Sequence, residues 1–145
     1  MRSKLLADGP QKTYALIFEA GDEVMEVLRA FASKQGLSAA TFQAIGAFQE
    51  AVLAFFQIDR KEYKKIPVLE QTEVLTLAGD VALKDGEPAV HAHVVLGRED
   101  GSTVGGHLLE ARVRPTLEVI LVESPAHLKK THDPKTGLAL IDPSR

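Results

Sequence analysis

The sequence contains no cysteine. Disulfides and thiolate chemistry are therefore excluded, and any metal must be held by histidine, aspartate, glutamate or backbone oxygen. Positive charge is not in excess: seventeen basic against twenty acidic side chains leave a formal net charge of -3. A domain held on DNA mainly through phosphates needs a basic face, so this balance argues against that role for the chain as a whole. No apolar run reaches membrane-spanning length, and Met1 to Thr13 lacks an apolar stretch of the signal-peptide kind. The expectation is a soluble cytoplasmic protein without membrane contact. Also missing are the nucleophile elbow G-x-S-x-G, the phosphate loop G-x-x-x-x-G-K-[ST], the fingerprint G-x-G-x-x-G and the zinc-protease motif H-E-x-x-H.

What is present describes a globular chain. With 145 residues, 45% hydrophobic and 26% charged, it can bury a core of its own without staples. Residues 1–13, with Gly9-Pro10, read as a flexible lead-in, and residues 14–145 as a single domain. Tyr14 to Phe18 is a strand candidate. Val24, Val27, Leu28, Phe31 and Ala32 then recur at helical spacing and predict one long helix over about 22–35. Asp22 is its expected N-cap and Gly36 its close. Two short strands, Ala44–Phe48 and Ala51–Ile58, are expected around a turn at Gln49-Glu50. The charged segment Asp59 to Pro67 reads as a surface loop. Glu73 to Leu83, apolar on both faces, reads as a central strand covered on both sides. Asp85-Gly86 signals a hairpin. Leu117 to Val122 is a further strand with Pro115 at its start, and Leu138 to Ile141 a late strand or lid. Many strands and one clear helix predict an α+β fold, the helix packed on one face of a mainly antiparallel mixed sheet.

Three of the five histidines fall between Pro88 and Glu110. In Ala89–Leu96 the even positions Val90, Ala92, Val94 and Leu96 make one apolar face, so His91 and His93 share the other. Folding a hairpin around Asp100-Gly101, with Gly97 opposite Thr103, sets His93 opposite His107 with Cβ atoms about 5 Å apart. The same register sets His91 opposite Leu109. A bulge at Gly105-Gly106 would undo the pairing. Three converging imidazoles make a first shell for zinc or another divalent metal, with an open fourth position. The alternatives are three histidines bonded to carbonyls, or packed at a subunit contact. His127 and His132 read as surface residues, and Ser102 as a hairpin-tip serine without a base. For metal-assisted catalysis on a small molecule, Glu110, Glu118 and Asp80 are the nominal acid/base candidates. For DNA contact the available cations are Arg112, Arg114, Lys61, Lys64, Lys65, Lys129 and Lys130.

The run H-A-H-V-V-L-G-R-E-D-G-S-T-V-G-G-H-L-L-E-A, preceded by L-T-L-A-G-D-V-A-L, resembles the plants and prokaryotes conserved (PPC) domain family. The likeness extends back through A-I-G-A-F-Q-E-A-V-L-A-F-F and forward through T-L-E-V-I-L, covering roughly Tyr14 to Glu123. It implies a largely antiparallel sheet and assembly as a homotrimer. It also implies that His91, His93 and His107 lie near subunit contacts and can hold a metal. Plant members carry AT-hook segments that supply much of the minor-groove binding; this sequence has no R-G-R-P, so a prokaryotic stand-alone member is the natural reading. The function expected is a homotrimeric binding and assembly module with a regulatory or DNA-associated role. The alternative is a metal-dependent enzyme.

Overall fold

The computed structural model describes residues 1–144. In chain order the elements are β1 (Arg2–Ala7), β2 (Thr13–Glu19), α1 (Val24–Gln35), β3 (Ala39–Gln57), β4 (Glu62–Val68), β5 (Thr72–Lys84), β6 (Glu87–Gly97), β7 (Thr103–Glu123), β8 (Lys130–His132) and β9 (Ala139–Ile141). Seven strands form one sheet in the order β1-β2-β7-β6-β5-β3-β4, and β8 pairs with β9 in a small second sheet. Every ladder between named strands is antiparallel. β7 also pairs with β3, so β7, β6, β5 and β3 close a circuit of hydrogen bonds. This is the α+β fold expected, one small domain with a single helix among the described residues.

The helix is shorter than expected, with 12 residues. Its N-cap is Glu23, not Asp22: the Glu23 carboxylate accepts from the Glu26 N–H at 2.6 Å and from the Ala111 N–H at 3.0 Å. One side chain thus satisfies an orphan helix donor and pins the helix start to β7. Asp22 instead accepts from the Glu19 N–H. Val24, Met25, Leu28, Phe31 and Ala32 are buried against the sheet, packing with Phe18, Phe42, Phe48 and Leu117. The opposite sheet face stays open, with Ile45 61% and Leu75 52% exposed. Over residues 73–78 β5 is therefore covered on one side only, whereas the adjacent Val81 and Ala82, both fully buried, show its far end covered on both. A register shift between Val74 and Thr76 lets Val74 and Leu77 both turn inward, so strict alternation misassigns Leu75.

Four further differences have two causes: exposed edge strands lack apolar alternation, and long strands run on through polar or turn-forming residues at irregularities. Residues 1–13, expected as a lead-in, contribute β1, whose exposed residues pair with β2. β3 runs through Gln49-Glu50 without a turn, with register shifts against β7 between Gly46 and Glu50. The charged segment forms β4, exposed along most of its length because only one face meets the protein. β7 continues through Pro115 instead of beginning there. At Asp85-Gly86 both residues have positive φ, 54° and 87°, as a two-residue hairpin turn requires, and Lys84 stands opposite Glu87.

Candidate metal centre

β6 presents His91 and His93 on one face, and β7 brings His107 beside them. His93 and His107 are register partners, as are Gly97 and Thr103, and Gly105-Gly106 carries no bulge in this ladder. The predicted partner of His91 is different. The β6–β7 ladder ends at His93, so His91 does not face Leu109; its cross-strand partner is Asp80 on β5. The ring centroids lie 4.9 Å apart for His91–His93, 5.0 Å for His91–His107 and 5.5 Å for His93–His107. One nitrogen of each ring lies within 4.8 Å of the others.

The surroundings come from distant parts of the chain. Tyr63 of β4 stacks on His107, centroids 4.8 Å apart and planes 27° apart, and Phe56 packs on Tyr63 at 4.9 Å. The three histidines, Phe55, Phe56, Ile58, Tyr63, Thr136 and Leu138 line a cavity of about 500 Å³. Asp80 Oδ2 lies 3.3 Å from His91 Nδ1, and its Oδ1 lies 2.8 Å from Lys130 Nζ. Tyr63 was hidden in a charged segment and Thr136 in a turn-rich tail, whereas Leu138 opens the stretch expected as a late strand or lid, which forms β9. The Asp80–His91 contact did have a signal: with Lys84 and Glu87 flanking the turn, counting back along both arms pairs 80 with 91.

The electrostatics suit a cation. Burial, then the neighbouring His91, His93 and Lys130, lower the His107 pKa to about 4. Burial and His91 likewise push His93 down. Burial tends to raise Asp80, but the hydrogen bond with His91 and the ion pair with Lys130 outweigh it and hold the carboxyl below its ordinary value. His107 Nδ1 is buried without a hydrogen-bond partner, the condition of a nitrogen that a water or an ion would satisfy. Neutral imidazoles, an unpartnered nitrogen and a carboxylate behind one ring fit a divalent ion held by nitrogen ligands.

The lowered histidines fix a pH dependence for the metal-free protein. Between pH 6.5 and about 4 the unfolded chain protonates His107 while the folded chain does not, so stability is full above pH 6.5 and falls as pH drops. Below about 4 that contribution flattens. Thermal melts in chelator should show this slope, and His107→Asn should reduce it.

The remaining candidates lie elsewhere. Glu110 points away and lines a smaller cavity with Glu23, Glu50 and Arg112. Glu118 lies on the outer sheet face beside Ile45 and Ile120. His127 Nδ1 is 2.6 Å from Ser38 Oγ, His132 is exposed on β8, and Ser102 bonds to Asp100. Of the cations considered for DNA, Lys130 is buried in its ion pair, with 8% of its side chain exposed. Lys61 Nζ donates to the Pro134 carbonyl and Arg112 to the Gly21 carbonyl. Lys64, Lys65, Lys129 and Arg114 are exposed.

Fold and site together define a class: a small α+β domain whose antiparallel sheet carries a three-histidine cluster beside an aromatic-walled cavity. The chain belongs to the Plants and Prokaryotes Conserved domain family, whose model matches residues 6–125. It is similar to a plant- and prokaryote-conserved protein from Pyrococcus horikoshii, at 36% identity and a TM-score of 0.85, over 97% of this chain and 94% of that one. A metal-containing protein from Archaeoglobus fulgidus matches at 32% identity and a TM-score of 0.84, over 97% and 98%. A candidate DNA-binding protein from Bacteroides thetaiotaomicron matches at 26% identity and a TM-score of 0.89, over 99% of each chain. Among curated proteins, the bifunctional protein GlmU of Synechococcus sp. (strain JA-3-3Ab) is 30% identical over 139 residues, 94% of this chain; the chain spans 21% of that protein's length. No described helix is long and apolar enough to cross a membrane.

Proposed function

We propose that this chain is a metal-binding assembly module in which His91, His93 and His107 hold a divalent ion, zinc first, close to contacts between three copies of the chain. The observation that carries it is the convergence of one nitrogen from each ring within 4.8 Å. A bound ion would supply concentrated positive charge and an open position for an oxygen ligand. His91 and His93 come from one strand and His107 from its hairpin partner, so the sheet itself sets the spacing of the three rings. The metal-containing relative from Archaeoglobus fulgidus supports the ion.

Assembly as a homotrimer is supported by apolar surface that a lone chain leaves wet. Ile45 and Ile120 stand 61% and 47% exposed around a shallow groove, and Phe55 and Ile58 lie at the cavity mouth. The role we assign is regulatory, in the cytoplasm, with DNA association suggested by the Bacteroides thetaiotaomicron relative. Contact with DNA would draw on Lys64, Lys65, Lys129 and Arg114 from several copies, because one chain carries a net charge of -3. A second reading, a metal-dependent enzyme acting on a small molecule, is favoured by the cavity of about 500 Å³ in front of the histidines. Asp80, the acid/base candidate nearest the rings, is engaged by both His91 and Lys130.

Metal analysis of untagged protein, coupled to light scattering, tests the first reading. One divalent ion per chain and a mass three times that of the chain are expected. Metal-free protein that takes up none on dialysis against zinc would reject the ion, and a monomer at micromolar concentration would reject the trimer.

A further inference from the structure

The carboxylate behind His91 is itself held by a residue from the far end of the chain. Asp80 on β5 and His91 on β6 are direct cross-strand partners. An ionised carboxylate only accepts hydrogen bonds, so the contact at 3.3 Å requires that His91 Nδ1 carry the proton. In the neutral ring that leaves Nε2 with its lone pair free. On the other side, Asp80 Oδ1 is buried and makes no hydrogen bond of good geometry; its compensation is the Lys130 ammonium 2.8 Å away. The two oxygens have separate partners, which fixes the carboxylate's rotation.

Lys130 is delivered by a docked segment. The Leu83 N–H donates to the Leu128 carbonyl at 2.8 Å, and Leu83 and Lys129 form a parallel bridge. Further along, the turn between β8 and β9 is tied down where the Lys61 ammonium donates to the Pro134 carbonyl at 2.9 Å. That turn places Thr136 and Leu138 in the wall of the histidine cavity. A buried lysine is costly unless paired, so the segment has a reason to stay where Asp80 can meet it.

We propose that Asp80 and Lys130 are positioning residues of the histidine cluster, and that the C-terminal hairpin β8–β9 is a working part of the site although none of its residues is among the three converging histidines. Lys130 holds Asp80, Asp80 holds His91 in the Nδ1–H tautomer, and His91 presents Nε2 to the cluster. The consequence for metal affinity rests on the metal reading above; the effect on His91 does not. Carboxylates behind ligating histidines act in this way in metal sites generally, orienting the ring and raising its basicity.

Long-range ¹H–¹⁵N spectra of the histidine rings in metal-free protein above pH 7.5 test the chain directly. The parent should show His91 as the Nδ1–H tautomer. Asp80→Asn should move it towards the Nε2–H form, and Lys130→Met should give a mixture. Since Asp80→Asn leaves a buried unpaired ammonium, the double variant Asp80→Asn/Lys130→Met serves as the folded control. Chelator competition should then show zinc binding weakened about 10–100-fold by Asp80→Asn. An unchanged His91 tautomer in both Asp80 variants would overturn the proposal, as would zinc affinity within about twofold of a zinc-binding parent. A Lys130→Met spectrum identical to the parent would remove Lys130 from the chain. A tautomer that shifts as expected in a protein that binds no zinc would uphold the positioning of His91 and reject the metal reading instead.

Discussion

Replacing His93 with alanine is expected to remove stoichiometric zinc binding and leave the metal-free protein as stable as its parent. The two halves of this prediction come from different features of the same residue. His93 is exposed, and its ring contacts are with the other two histidines, so its loss opens no cavity and strands no hydrogen-bond partner. Surface substitutions of that kind change stability by about 0.5 kcal/mol or less. For the ion, however, His93 is one of three nitrogen ligands, and two imidazoles on adjacent strands do not complete a first shell. The loss should exceed the ~10–100-fold that follows from removing an outer partner. Calorimetric titration with zinc, beside a thermal melt in chelator, reads both halves. Zinc binding at parental affinity would show that the three rings do not act together. His107→Ala is less decisive, because it also removes the partner on which Tyr63 stacks.

Gly46→Ala is expected to destabilise the protein by about 3 kcal/mol, from overpacking and backbone strain together. Gly46 lies in β3 where the register shifts against both β5 and β7, with φ at 152°. A Cβ built there would lie 2.3 Å from the Thr116 carbonyl oxygen and 2.8 Å from Leu117 Cα. Both are backbone atoms of the paired strand, so no rotamer change relieves the clash. Leu117 is fully buried under the helix side of the sheet, and pushing β7 away would disturb the strand that also carries His107. Urea denaturation should show a lower midpoint with an unchanged slope. Gly9→Ala, where a Cβ would meet nothing within 4 Å, serves as the comparison and should stay within about 0.5 kcal/mol. Equal midpoints for the two variants would contradict the close approach of β3 and β7.

The histidine cluster was legible because two local rules sufficed for it. Alternation placed His91 and His93 on one face, and the turn at Asp100-Gly101 set the register that brings His107 opposite His93. The helix was legible for the same reason, since Leu28, Phe31 and Ala32 recur at its period. Local rules failed where strands bend. Gln49-Glu50 has the polarity of a turn, but both residues sit inside a 19-residue strand whose irregular register leaves Gln49 exposed and Glu50 half-buried. Pro115 has the chemistry of a strand boundary, but β7 passes through it as pairing with β3 shifts. Arg2 to Ala7 shows no apolar alternation because both faces of this edge strand are wet. Lys130 read as a surface cation because nothing in its neighbours announces the ion pair with Asp80. That contact depends on the docking of β8 beside β5, a long-range event.

The central claim is that three imidazoles from two strands of one hairpin share a divalent ion. Anomalous diffraction from crystals of untagged protein, collected on both sides of the zinc edge, tests it most directly. The account predicts an anomalous peak about 2.0–2.1 Å from one nitrogen each of His91, His93 and His107. Crystals grown with zinc that show no peak there, with the three rings bonded to water or backbone carbonyls instead, would contradict it.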